Sequence, residues 1–186
     1  MKGMSLIFNH PCFMNNGYYV PFYIIPCPSY PLQPAYTPTN EVVSHRDDSF
    51  TDYGTAPLVI NIEEATKQNN TFRTALWTGK HLQLTLMSIN PGEEIGLEMH
   101  PDVDQFIRLE DGRGLVQMGD TKERLDFVRN VQDDDIFIIP AGKWHNLKNT
   151  GSQPIKLYSI YAPPEHPFGT VHETKAIADA TEQQYE

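Results

Sequence analysis

PGEEIGLEMHPDVDQFIRLEDGRG, residues 91–114, and DDDIFIIPAGKWHNLKN, residues 133–149, are the two stretches from which the rest of this chain can be read. Both alternate short apolar runs with Gly, Pro, Asn and Asp, the residues that end strands and build turns. On a strand, side chains two apart share a face, so Glu98 and His100 project the same way. Gln105 follows across the turn at residues 101–104 and returns on the paired strand. His145 follows a Pro140-x-Gly142 turn on a distant hairpin. A closed barrel brings all four side chains to one interior point. Two imidazoles, a carboxylate and an amide oxygen form a mixed N/O set that suits Mn, Fe, Co, Ni or Zn. The competing reading is a polar pocket with no ion, in which Glu98 is hydrogen-bonded to His100 or Gln105.

The same texture extends outward. Apolar runs at 72–77, 81–89, 95–100, 105–109, 115–118, 125–131, 136–139, 144–148 and 155–161 are each followed by turn residues. Many short strands at close spacing predict a sandwich or small barrel. Residues 61–69 have room for one or two helical turns. At the C-terminal end, Thr170-x-x-Glu173 reads as a capping box, with Thr170 as N-cap and His172 in the first turn. The expected division is an N-terminal arm at 1–50, a barrel at 57–165, and a helix and tail at 166–186.

The spacing resembles the two motifs of the cupin superfamily. Gly92, Glu98, His100, Gln105 and Gly112 fall on the first motif, and Asp134, Pro140, Gly142, His145 and Asn149 on the second. The resemblance spans roughly residues 71–162. It implies an all-β double-stranded β-helix, or jelly roll, and often a homodimer. The flank APPEHPFGTVHETKA, residues 162–176, is similar to small cupins described as mannose-6-phosphate isomerase-like. Three positions depart from the motifs: Glu98 stands at the first histidine, Gln105 at the glutamate and Asp134 at the leading glycine of the second motif. With Glu98, His100, Gln105 and His145 as metal ligands the set still holds a single carboxylate, displaced rather than lost. Glu98, if not a ligand, or His81 at the start of a strand would be the catalytic base of an aldose–ketose isomerisation. Lys80, Arg108 and Lys143 are candidates for steering an anionic ligand, although Arg108 alternates out of phase with Gln105.

Composition narrows the function classes. The chain has 186 residues, with 14 basic and 24 acidic side chains and a net charge of −10. That balance argues against a nucleic-acid partner and against docking on anionic membrane. No apolar run approaches a membrane span, and the N-terminus lacks the length of a signal peptide. Two cysteines, Cys12 and Cys27, make neither a disulfide framework nor a zinc ribbon. A cytoplasmic location is expected. No nucleophile elbow, P-loop or dinucleotide fingerprint is present.

The first 40 residues differ from the rest: Lys2 is their one charged side chain, and they hold prolines at 11, 21, 26, 28, 31, 34 and 38 and five tyrosines. An uncharged, tyrosine-rich segment is costly to expose. It supports a second reading, a non-catalytic self-assembling protein of spore-coat or surface-layer type on a cupin scaffold. In either reading the partners expected are a small-molecule ligand and further copies of the chain, in a homodimer or higher oligomer through barrel and arm.

Overall fold

The computed structural model describes residues 50–182. The arm expected at 1–50, with both cysteines, lies outside the described residues except for Phe50. The elements run α1 (Ile62–Gln68), β1 (Arg73–Thr78), β2 (Gln83–Ile89), β3 (Asp104–Asp111), β4 (Arg113–Gly119), β5 (Phe127–Gln132), β6 (Ile136–Ile139), β7 (Trp144–Asn149), β8 (Ile155–Ala162), β9 (Val171–His172) and α2 (Lys175–Glu182). The strands form a six-stranded sheet, ordered β6-β3-β8-β2-β1-β9, and a three-stranded sheet, ordered β5-β4-β7. Every pairing in the named strands is antiparallel. The chain is an all-β double-stranded β-helix with two short helices.

The core lies between the sheets. Met87, Ile107, Leu109, Phe137, Ile139 and Leu157 from the larger sheet pack with Val116, Met118, Val131 and Leu147 from the smaller one. The outer face of the larger sheet is covered by α1, where Ala65 meets Leu76 and Leu86, with Ile62, Leu84 and Tyr158 around them. Asn61 caps α1 by accepting from the Glu64 N–H at 3.2 Å. Lys67 and Glu63 pair one turn apart at 2.7 Å.

Register divides the barrel interior into two ends. Along β2 and β8 the inward-facing pairs are Ile89–Ile155, Met87–Leu157, Thr85–Ser159 and Gln83–Tyr161. On β3 the corresponding positions are Leu109, Ile107 and Gln105, opposite Leu157, Ser159 and Tyr161. The rows pass from aliphatic to polar within four steps, and the polar rows are as deeply buried as the aliphatic ones. A polar row at full burial costs free energy unless something satisfies it. The polar end of the barrel interior therefore follows from strand register.

Two local expectations are corrected, and one departure from the motif is explained. Residues 95–100 do not form a strand of a continuous ladder. They lie along β7 through two isolated bridges, Glu94–Lys148 and Glu98–His145, and Gly96 at φ 106° interrupts the pairing between them. Thr170 is not a helix cap, because Val171 and His172 add β9 to the edge of β1. The Thr174 hydroxyl instead accepts from the Ile177 N–H at the start of α2. His172 accordingly lies in a strand rather than a first helical turn. Asp134, at the motif's glycine position, adopts φ 69°, the left-handed region usually taken by glycine. Its side chain accepts from Arg108 at 2.7 Å, and its N–H donates to the Leu109 carbonyl at 3.1 Å. Asp tolerates this conformation better than most residues.

Candidate metal centre

Glu98 and His145 are brought together by backbone before any side-chain contact. Each donates its N–H to the other's carbonyl, at 3.1 and 2.9 Å, which sets their side chains next to each other across the pair. His100, two residues beyond Glu98, is anchored through its carbonyl, which accepts from the Gly142 N–H at 2.7 Å. Gly142 has φ 78°, so the Pro140-x-Gly142 turn needs a residue free to take that conformation. Residues separated by 45 positions in the sequence thus meet at the polar end of the barrel. One ligating atom from each of Glu98, His100 and His145 lies within 4.8 Å of the others.

The two imidazoles are oriented alike. His145 Nδ1 sits 3.0 Å from the Lys143 carbonyl. A carbonyl only accepts, so Nδ1 carries the proton and Nε2 carries a lone pair. His100 Nδ1 sits 3.0 Å from the Glu165 carboxylate, so this Nδ1 also carries a proton. Both Nε2 atoms are buried without a hydrogen-bond partner, and the Glu98 Oε1 lies 3.3 Å from that of His145 and 3.6 Å from that of His100. Two ring nitrogens and a carboxylate converging on one space call for a cation among them, either a proton on His100 Nε2 or a metal ion. The donor set fits a divalent transition ion, and Nδ1 bound to a carbonyl or carboxylate is the arrangement that orients metal-binding histidines.

The electrostatics agree. Burial raises the Glu98 carboxyl, but the His100 and His145 imidazoles and the Arg73 guanidinium outweigh it and hold the group well below the usual carboxylate range. Burial lowers His100, yet the Glu165 and Glu98 carboxylates raise it to about 9. Without an ion, His100 therefore takes its second proton on Nε2, facing the ionised Glu98, and a metal ion bound there would replace that proton.

Gln105 is fully buried, opposite Tyr161. Its Nε2 donates to the Ser159 hydroxyl at 2.9 Å, while its Oε1 has no hydrogen-bond partner. His81 lies elsewhere. It is exposed in the turn ahead of β2, outside the Glu98/His100/His145 group. Of its expected inward-facing companions, Gln83, Thr85 and Met87 are buried as read. Lys143 is bound to Asp120, and Arg108 pairs with Glu110 at 2.9 Å and with Asp134, on the opposite side of β3 from Gln105.

Three residues at the site have no counterpart in the motif reading. Glu165 is one. His166 is another: it is packed edge-on against Tyr161 at 5.1 Å. Its Nε2 is buried without a partner, and burial together with Arg73 lowers its pKa to about 2. Tyr161 is the third. Its ring also meets that of His100, at 5.8 Å, and burial pushes its phenol up to about 12. The sequence signal for Tyr161 was the two-residue alternation of β8. Glu165 and His166 lie in an irregular segment past that strand, where periodicity carries no information.

The comparisons with known proteins agree with this geometry. A family model described as Cupin domain matches residues 85–161, from β2 through β8 and across both motifs. The chain belongs to the cupin superfamily. It is 69% identical over 131 residues to the Bacillus subtilis protein YrkC, covering 70% of each chain. It is 40% identical over 114 residues to a protein of Acanthamoeba polyphaga mimivirus, covering 61% of this chain and 69% of that one. A crystal structure of a Bacillus halodurans protein is 65% identical, with a TM-score of 0.69 over 70% of this chain and 98% of that chain. A Klebsiella pneumoniae protein with a double-stranded β-helix domain shares the fold at 21% identity and a TM-score of 0.50, covering 63% of this chain and 99% of that one. Among the described residues no helix is long and apolar enough to cross a membrane.

Proposed function

We propose that this protein is a metal-binding cupin that takes a polar small molecule at the polar end of its barrel. Glu98, His100 and His145 hold a divalent transition ion, and Gln105 stands by as a fourth ligand through its amide oxygen. One observation carries the reading: two imidazoles held at Nδ1 by Lys143 and Glu165 so that both Nε2 atoms turn toward the partly buried Glu98 carboxylate. Bound there, a divalent ion would supply Lewis-acid polarisation of a carbonyl or hydroxyl oxygen.

The surrounding residues supply the binding surface. The Thr85 hydroxyl, the Tyr161 phenol, the Gln105 carbonyl and His166 Nε2 are buried polar atoms without hydrogen-bond partners. Together they offer donors and acceptors to a polyhydroxylated ligand such as a sugar. With His166 held neutral, its imidazole is a hydrogen-bonding group rather than a base.

The narrower reading is a sugar or sugar-phosphate isomerase-like activity, as in small cupins of the mannose-6-phosphate isomerase-like kind. Proton transfer between adjacent carbons would need a Glu98 carboxylate oxygen that the ion leaves free, since His81 lies outside the group. The test is a thermal-shift screen of sugars and sugar phosphates on metal-loaded protein, followed by incubation of any binder in heavy water. The reading expects binding that His145→Ala abolishes, with deuterium entering the substrate next to its carbonyl. Binding without deuterium exchange would retain the metal-binding reading and reject the isomerase. A screen with no binder that depends on His145 would reject the small-molecule site.

A further inference from the structure

Past β8 the chain turns back across the polar end and rejoins the sheet as β9. Gln83 holds this crossing segment by its backbone. The His166 N–H donates to Gln83 Oε1 at 2.9 Å, and Gln83 Nε2 donates to the His166 carbonyl at 2.8 Å. A primary amide thus engages both groups of one residue, as a neighbouring strand would. Gln83 is fully buried, and its Nε2 also donates to the Thr78 hydroxyl at 3.0 Å. One residue before the clamp, Glu165 reaches His100 Nδ1 at 3.0 Å.

We propose that Gln83 and Glu165 are positioning residues of the metal centre: Gln83, by clamping the His166 backbone, sets the Glu165 carboxylate against His100 Nδ1, and that contact turns the His100 Nε2 lone pair toward Glu98 and His145. The inference rests on the metal-binding reading above and extends it to a segment outside both cupin motifs. The residue types fit the task. A glutamate at position 83 would accept from the His166 N–H but could not donate to its carbonyl, and a leucine would do neither. A glutamine at position 165 would still accept from Nδ1 without the charge. The Glu165 side chain is 29% exposed, so truncating it opens no core cavity.

The experiment is competition titration of zinc against a chromogenic chelator. It compares the full chain with Glu165→Gln, Glu165→Ala, Gln83→Leu and the Glu165→Ala/Gln83→Leu double variant, with melting temperatures measured in parallel. Glu165→Ala should weaken zinc binding roughly 10–100-fold, the range for residues that orient a metal-bound histidine. Glu165→Gln should recover part of the loss at an unchanged melting temperature. Gln83→Leu should weaken binding in the same direction. The double variant should be no weaker than Glu165→Ala alone, because Gln83 acts through Glu165. Failure of the unaltered chain to bind zinc would overturn the metal-binding reading and this inference with it. Zinc binding by the unaltered chain, with Glu165→Ala within about twofold of it, would overturn this inference and leave that reading standing. Additive losses in the double variant would overturn the role of Gln83. If Gln83→Leu does not fold, Gln83→Glu takes its place, since it keeps one of the two clamp bonds.

Discussion

Glu98 occupies the position where a cupin motif has its first histidine, and the structure shows why that exchange keeps the site coherent. Its carboxylate faces the Nε2 atoms of both imidazoles, so the charge that complements a cation is present although one imidazole is missing. The titration behaviour of the metal-stripped protein follows from its neighbours. His100 has a folded-state pKa of about 9 against an ordinary 6.5. Its contribution to stability is complete below pH 6.5 and is lost as pH rises toward 9. His166 has the opposite sign, with a folded-state pKa of about 2 against 6.5. The unfolded chain takes up its proton first, so stability also falls as pH drops below 6.5. Denaturant midpoints of the metal-free protein should therefore peak near neutral pH, with His166→Gln flattening the acid limb and Glu165→Gln the basic limb. A midpoint that rises steadily from pH 6.5 to 9 would contradict the His100 environment. Thr85→Val replaces a buried hydroxyl that has no hydrogen-bond partner. It should raise the stability of metal-free protein by about 1 kcal/mol, and a loss of that size would show the hydroxyl to be paired.

At the scale of elements, the strands were legible because their apolar runs alternate and their turns are punctuated. Runs such as Ile136–Ile139 and Trp144–Asn149 contain the pattern and its boundaries together. What was misread has physical reasons. Residues 95–100 look like a strand, but Gly96 lets the backbone leave the ladder. The second strand partner of β1 is only two residues long, too short for any periodicity, and Thr170-x-x-Glu173 imitated a helix start in its place. The meeting of Glu98, His100 and His145 was legible from motif spacing, while the places of Glu165 and His166 were not, because they depend on a clamp to Gln83, 83 residues away in sequence in the case of His166. The turns can be tested directly. Gly112 has φ 90°, and a Cβ there would lie 2.9 Å from the Ile155 Cα. Gly112→Ala should cost about 2 kcal/mol or more in chemical denaturation. Asp134→Gly should cost less than about 1 kcal/mol, since it relieves the left-handed strain while losing the exposed Arg108 pair, whereas Asp134→Ala keeps the strain and should cost more.

For the molecule as a whole, the organising fact is the gradient along the barrel interior. One end is closed by Ile89, Ile155 and Leu157, and the other carries Gln83, Gln105, Tyr161 and the three candidate ligands. The aliphatic end stabilises the fold by burial. The polar end withholds stability that an aliphatic filling would supply, which is the usual cost of a binding site. The most direct test of this account is the metal content of protein purified without chelators and analysed by elemental mass spectrometry, alongside Glu98→Ala and His145→Ala. The account predicts about one equivalent of a divalent transition ion in the unaltered chain and a loss of most of it in either variant. Less than about a tenth of an equivalent, unchanged by both substitutions and after incubation with added metal, would contradict it.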